Sequence, residues 1–428
     1  MSRFILTGLF LSAFLFSHVV LAGNGPKGKP EFEDYRWTEI NAWALSTPRA
    51  GLEAVVLDGD FFILGGRTPN PWTPPPLGPI PGDSTLWGDV WRSKDRGESW
   101  QMVLPTDDDN HWPARAYHEV VVLEDMMYLI GGQNFPLIDN PACDFNPDCF
   151  PKKVPASQFF NDVWSSADGV NWSLLTDEAF QTGRAGHSAI VFKDKIFVMG
   201  GSYNDDSIID PTAQRVLLND VWSSPDGIEW TQVTAEAPWM ARAGAALVVK
   251  NGYLWLIGGE QAFFGFEAYF NDVWRTKDGE VWEPVTYNAD WPARPGHTCD
   301  VLKNTIVCFG GFGFNEAAFF PPCPLFDPIN NPPVPGSDCD PNKPSNPMDI
   351  WISTNGADWK MISDSPWNAS DPKHIKYDYD TVVAPAGPDG RGKAIYTFGG
   401  DRETFDFFDP TQWLDVDNDV WRFSLPKD

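Results

Sequence analysis

Basic charge is scarce in this chain. Its 31 Lys and Arg face 59 Asp and Glu, a formal net charge of −28. Nucleic acid and anionic membrane surfaces are thereby excluded as partners, because both require a basic face. Long apolar runs are missing once the first 22 residues are passed. No later stretch approaches the roughly 20 residues of a spanning helix, so no membrane insertion is expected. Helix caps are missing as well, since the apolar runs end in turn chemistry. Histidine and cysteine are sparse, with 6 of each.

Residues 1–22 carry Arg3, the apolar run ILTGLFLSAFLF and a small residue at Ala22. This pattern predicts a secretory signal peptide cleaved near Ala22 and a secreted or periplasmic protein. No cysteine follows Ala22 to take a lipid anchor.

The rest of the chain is a repeat with a period near 40 to 50 residues, the range of propellers. The stretch from Ala241 to Val285 shows the unit. AALVV turns at Asn251-Gly252 into YLWLI, and Gly258-Gly259 stops that strand. NDVW then opens a third strand, which turns at Lys277-Asp278-Gly279 into VWEPV. From Leu52, His118, His187, Ala245 and His297 to the next glycine pair is always 13 residues. A third-strand tryptophan recurs at Trp91, Trp164, Trp222, Trp274, Trp351 and Trp421, and a fourth-strand one at Trp100, Trp172, Trp230, Trp282 and Trp359. The sixth copy lacks its fourth strand, and YRWTEI around Trp37 has the right form to supply it. An open edge would leave backbone groups unpaired. The reading is all-β: a six-bladed β-propeller of four-stranded antiparallel blades, closed by N-terminal residues 35–40 in the last blade. Blades fall near 48–103, 114–175, 183–233, 241–285, 293–362 and 374–425, in a single domain spanning 23–428. A monomer is expected. Tryptophan, with 21 copies, and phenylalanine, with 30, supply the contacts between sheets.

R-x-G-H, G-G and N-D-V-W together resemble the kelch repeat of the galactose oxidase/kelch-like superfamily. S-x-D-x-G-x-x-W from Ser93 to Trp100 resembles an Asp-box, with shortened forms at Ser166, Ser224, Thr276 and Ser353. The resemblance covers nearly all of the chain after residue 22 and implies the propeller fold, not a function. Galactose oxidase-like enzymes bind copper through two tyrosines and two histidines, with a cysteine cross-linked to a tyrosine; that constellation is not found here. Sialate-epimerase-like kelch proteins are six-bladed as well, and an acidic residue with arginines at the mouth fits that class.

Cys299 and Cys308 flank the Lys303-Asn304 turn symmetrically and should bridge. Cys143–Cys149 and Cys323–Cys339 are the other local pairings expected of an exported chain. Asp144, Asn146 and Asp148 have the alternating oxygen spacing of calcium loops, which makes calcium the one candidate cofactor. Asp338-x-Asp340-x-Asn342 and Asp415-x-Asp417-x-Asp419 share that spacing.

In such a meander the tight turns share one side of the ring and the long connections the other. Loops this long serve binding more often than structure. Trp72, Phe263, Phe264, Phe266, Phe319, Phe320, Phe407, Phe408 and Trp413 lie among them and could stack on sugar rings. Around the mouth on that side come Arg49, Arg115, Arg184, Arg242 and Arg294, with Lys376 in the sixth copy. These five arginines, with Tyr117 and His297, are the candidate ligand-binding residues, since arginine holds carboxylate or sulfate bidentately. The rival reading pairs each with the aspartate opening strand three (Asp89, Asp162, Asp220, Asp272, Asp349, Asp419). Function should appear where the copies differ, as after the glycine pair: Arg67, Gln133, Ser202, Glu260, Phe312 and Asp401. Glu260, Asp401, His118 and His187 are the candidate acid–base groups. Two functions follow: a binding module for glycan or extracellular protein through the long-loop face, or a carbohydrate-active enzyme with its site at the channel mouth.

Overall fold

The computed structural model describes residues 34–70, 84–140, 143, 153–204, 215–261, 269–312, 349–368, 376–386, 392–402 and 414–424. Six four-stranded antiparallel sheets stand in a ring. Blade four is typical, with Ala246–Lys250 innermost, then Tyr253–Glu260, Tyr269–Thr276 and Trp282–Thr286. Its inner hairpin turns at Asn251 and Gly252 with φ of 51° and 74°, and the equivalent pairs Asp58-Gly59, Glu124-Asp125, Lys193-Asp194 and Lys303-Asn304 are also left-handed. Such two-residue turns match the right-handed twist of the strands they join.

The ring closes as the repeat arithmetic requires. Arg36–Asn41 pairs antiparallel with Val416–Ser424, placing Trp37 opposite Phe423. Trp37 also packs edge-on against Phe309 and Trp367. Deleting residues 1–41 should therefore lower the melting temperature and cause self-association through the bared strand, readable by light scattering. A truncated chain that stays monomeric with an unchanged melting curve would refute this role.

The core lies between blades. Phe61 of blade one packs edge-on against Tyr396 and Phe398 of blade six, and comparable apolar clusters fill the other junctions. The long connections are more regular than the sequence suggests. Arg67–Pro69 pairs with Ser84–Leu86, Leu137–Asp139 with Lys153–Pro155, and Ser202–Tyr203 with Val216–Leu217. At least their bases are β-stems.

Cys299 and Cys308 face each other in register and are bridged. Cys143 is disulfide-bonded; Cys149, Cys323 and Cys339 lie outside the described residues. Residues 1–22, Asp144, Asn146, Asp148, the Asp338–Asn342 tract and the nine loop aromatics are outside them too. Among the described residues no helix is long and apolar enough to cross a membrane.

The basic residues at the strand entrances turn away from the axis, which corrects their assignment as ligand-binding cations. Arg49, Arg115, Arg184, Arg242 and Arg294 are at most 4% exposed, and each pairs with the strand-three aspartate of its blade. Each also donates to the carbonyl of the first glycine of its pair, as Arg242 does to Gly258 at 2.9 Å. Asp89, Asp162, Asp220, Asp272 and Asp419 accept from the indole N–H two residues on, at 2.6–2.8 Å. Arginine, glycine, aspartate and tryptophan thus form one staple in each of blades one to four; blade five keeps the Arg294–Asp349 pair without the Trp351 indole, and Lys376 replaces the arginine in blade six. In the Asp415–Asp419 tract, Asp417 pairs with Lys376 and Arg402, and Asp419 with Lys376.

The histidines also leave the list of acid–base and ligand candidates. His118, His187 and His297 are 1%, 2% and 5% exposed, each packed behind the first glycine of the preceding blade's pair. Burial, then the neighbouring arginine, pushes His187 and His297 down to about 3 and holds His118 well below its usual range. All three are neutral wedges in the blade junctions.

Candidate functional site

One residue before the histidine position, each inner strand begins with a left-handed residue: Gly51, Tyr117, Gly186, Gly244, Gly296 and Asp378, with φ between 48° and 63°. These residues link into a belt around the axis. The Gly51 amide donates to the Asp378 carbonyl (2.8 Å), Tyr117 to Gly51 (3.0 Å), Gly186 to Tyr117 (3.0 Å), Gly244 to Gly186 (2.9 Å) and Asp378 to Gly296 (3.2 Å). Hydrogen-bonded chains lie about 4.8 Å apart, so a hexagon of such edges has a radius of about 4.8 Å. Five of its six edges are such bonds, and the sixth, between Gly244 and Gly296, is not, so the belt narrows the axis to a ring too tight for a hydrated sugar.

Four glycines tolerate this conformation freely. Tyr117 and Asp378 do not, and a left-handed residue with a side chain costs roughly 1–2 kcal/mol. Strain of this kind persists where it serves a site. Both side chains fold over a neighbouring glycine: the Tyr117 ring lies against Gly51, and an Asp378 carboxylate oxygen against Gly296.

Above the belt come the residues that follow each glycine pair. Arg67, Gln133, Ser202, Glu260 and Asp401 are held by reciprocal backbone bridges to Ala50, Ala116, Ala185, Ala243 and Tyr377. Phe312 makes one such bond, from its amide to the Pro295 carbonyl, because proline has no N–H to return it. Arg67 pairs with the fully buried Asp401 and donates from Nε to the Tyr117 hydroxyl at 2.7 Å. Arg215 reaches Glu260 at 3.3 Å and donates to the Ser202 hydroxyl at 3.0 Å. Phe312 packs edge-on against Tyr269 and Tyr377, giving the rim an apolar quadrant. Burial and then the Asp401 charge push Asp378 up to about 7; Arg67 opposes that shift. Burial also raises the Tyr117 and Tyr269 hydroxyls.

Beneath the belt, two residues further on, lies a second tier: Glu53, Glu119, Ser188, Ala246, Thr298 and Asp380. Glu53 accepts from the Val120 amide (3.1 Å) and Asp380 from Ala54 (2.6 Å), so these carboxylates serve the inner strand edge of the next blade. Burial raises all three, Asp380 to about 7; the Asp380 charge adds to the shift at Glu53 and Glu119, Glu119 adds at Glu53, and Asp300 adds at Asp380. Among the described residues no group of three or more His, Cys, Asp or Glu is arranged to hold a metal ion.

Of the sequence candidates, Tyr117, Glu260 and Asp401 come together here. Asp378 and Arg215 complete the cluster and escape sequence reasoning. Asp378 could have been found as a break in an otherwise glycine position. Arg215 has no repeat counterpart and arrives only through the Ser202–Tyr203/Val216–Leu217 stem.

The family model of the KLHDC2/KLHL20/DRC7 Kelch-repeats domain matches residues 153–311. The chain is a kelch-type six-bladed β-propeller. N-acetylneuraminate epimerase 1 of Escherichia coli O6:H1 is 24% identical to it over 263 residues, covering 58% of this chain and 63% of that protein. N-acetylneuraminate epimerase 2 of the same organism is 22% identical over 284 residues, covering 66% and 61%. Beta-scruin of Limulus polyphemus is 27% identical over 172 residues, 40% of this chain and 14% of its own. The kelch propeller thus spans less than two thirds of the length of these curated relatives. The solved structure of YjhT superposes with a TM-score of 0.55 at 16% identity, covering 89% of this chain and 96% of that one, which shows the shared fold.

Proposed function

We propose that this kelch propeller is an exported carbohydrate-binding protein whose ligand sits in the cup above the backbone belt, on the long-loop face. One observation carries the reading. In a ring position given to glycine in four blades, Tyr117 and Asp378 accept a strained backbone and bring a phenol and a carboxyl group beside Arg67, Asp401, Glu260 and Arg215. A polar, partly buried cluster beside an aromatic quadrant suits a sugar, which presents hydroxyls at its rim and C–H surface on its faces. Relatives named as N-acetylneuraminate epimerases support the carbohydrate class, and the disulfide suits an oxidising compartment.

The raised Asp378 favours a second reading, turnover of the sugar, because a carboxyl group near 7 can both give and take a proton at neutral pH. Asp378→Gly separates site from scaffold. It restores the repeat glycine at φ 48° and should leave the melting temperature unchanged or about 1 °C higher. Saturation-transfer NMR against a panel of neutral and acidic mono- and oligosaccharides should show contact with the wild type and none with Asp378→Gly. Change of sugar configuration in the same tubes reads out turnover. Equal contact in both proteins would place the ligand elsewhere.

A further inference from the structure

We infer that the cup selects an uncharged saccharide and discriminates against sugar acids, an inference that rests on the carbohydrate reading above. Recognition of a sugar carboxylate needs a cation with an unoccupied fork. On this face each described arginine and lysine of the staples and the cup is already matched: Arg49, Arg115, Arg184, Arg242, Arg294 and Lys376 within their blades, Arg67 by Asp401, Arg215 by Glu260 and Arg402 by Asp417.

The firmest of these pairs is the one nearest the strained residues. Asp401 is fully buried and fixed by reciprocal backbone bonds to Tyr377. A ligand carboxylate taking Arg67 would have to break its pair with the buried Asp401, a loss larger than the gain from the new pair. Arg67 is also tied to Tyr117 through Nε. Arg215 is the softer member: its pair with Glu260 is 3.3 Å long, with side chains 18% and 16% exposed. What the cup does offer is hydroxyl and carboxyl chemistry. Tyr117 accepts from Arg67 and keeps its own proton to donate, Ser202 does the same towards Arg215, and Asp378 and Glu260 supply acceptors. Sugar hydroxyls both donate and accept, so they match this set, whereas an added carboxylate meets the Asp378 carboxylate as a like charge and finds the cup's cations already paired. The net charge of −28 repels approaching anions further.

The test is a pair of matched titrations by NMR at pH 7.5: glucose against glucuronate, and N-acetylmannosamine against N-acetylneuraminate. In at least one pair the neutral sugar should bind at least 10-fold more tightly, with little dependence on salt. Glu260→Gln, which releases Arg215, should raise affinity for the acid about 10-fold relative to the neutral sugar, with the melting temperature as the check on folding. Acid binding as well as or better than its neutral partner in the wild type would overturn the selectivity while leaving the site intact. A Glu260→Gln protein with unchanged selectivity would also count against it. Contact with no sugar of any kind would remove the carbohydrate reading itself.

Discussion

Arg242→Ala is expected to lower the melting temperature by about 4–6 °C. Arg242 and Asp272 are each 1% exposed, paired at 2.5 Å, and the guanidinium also caps the Gly258 carbonyl and lies 4.0 Å over the Phe270 ring. Removing only the cation leaves a buried carboxylate whose remaining side-chain donor is the Trp274 indole. Breaking one side of a buried pair costs about 3–5 kcal/mol. With an unfolding entropy of about 2.1 cal/mol/K per residue, a ring of this size loses roughly 1 °C per kcal/mol or slightly more. Arg242→Met combined with Asp272→Asn removes both charges, keeps an acceptor for the indole, and should recover at least half of the loss. Calorimetry on the three proteins decides it. A double variant as unstable as Arg242→Ala would show that the stranded charge is not the cause.

The second large effect is an inverted pH profile. Asp378 and Asp380 near 7, Asp300 near 6, and the raised Glu53 and Glu119 all hold protons in the folded state that they release in the unfolded one. Their stabilising contribution is complete below about 4 and is lost as pH rises through the folded values, so stability should fall from pH 6 to 8. His187 and His297, lowered to about 3, act in the opposite sense: their contribution is full above about 6.5 and disappears as pH falls towards 3. Asp168, lowered to about 2 mainly by backbone N–H bonds that outweigh its burial, loses its share only below about 4. The raised carboxylates outnumber the lowered histidines, so the melting temperature should be highest near pH 4 and fall towards pH 8. Glu53→Gln keeps an acceptor for the Val120 amide and removes the carboxylate that faces both Asp380 and Glu119. The melting temperature of Glu53→Gln should therefore exceed that of the wild type at pH 8, and by less at pH 5. A melting temperature flat or rising between pH 6 and 8 would show that the tier beneath the belt is not strained by charge.

The scaffold was legible because its determinants are local and repeated. Asn251-Gly252 and its four counterparts specify a turn whatever surrounds them, and the tryptophan spacing assigns Trp37 to the last blade before any coordinate is seen. The arginines and histidines mislead for the same reason. Their recurrence is visible, but whether a side chain faces the axis or the next blade is decided by the sheet twist, and it buries His118 behind Gly65 and binds Arg49 to Asp89. The site is the less legible part because it consists of departures. Tyr117 stands out beside a histidine, Asp378 is hidden between Lys376 and Tyr379 in the most divergent copy, and Arg215 depends on pairing between stems that no repeat predicts.

The closure strand constrains the order of events in the cell. Leu45 bonds to Asn418 across 373 residues, and Arg36–Asn41 finds its partner only in Val416–Ser424. The strand Arg36–Asn41 leaves the ribosome with no mate until residues 416–424 follow. The circle cannot shut during synthesis, and a nascent chain stalled short of residue 416 presents two unsatisfied ends to whatever chaperones meet it.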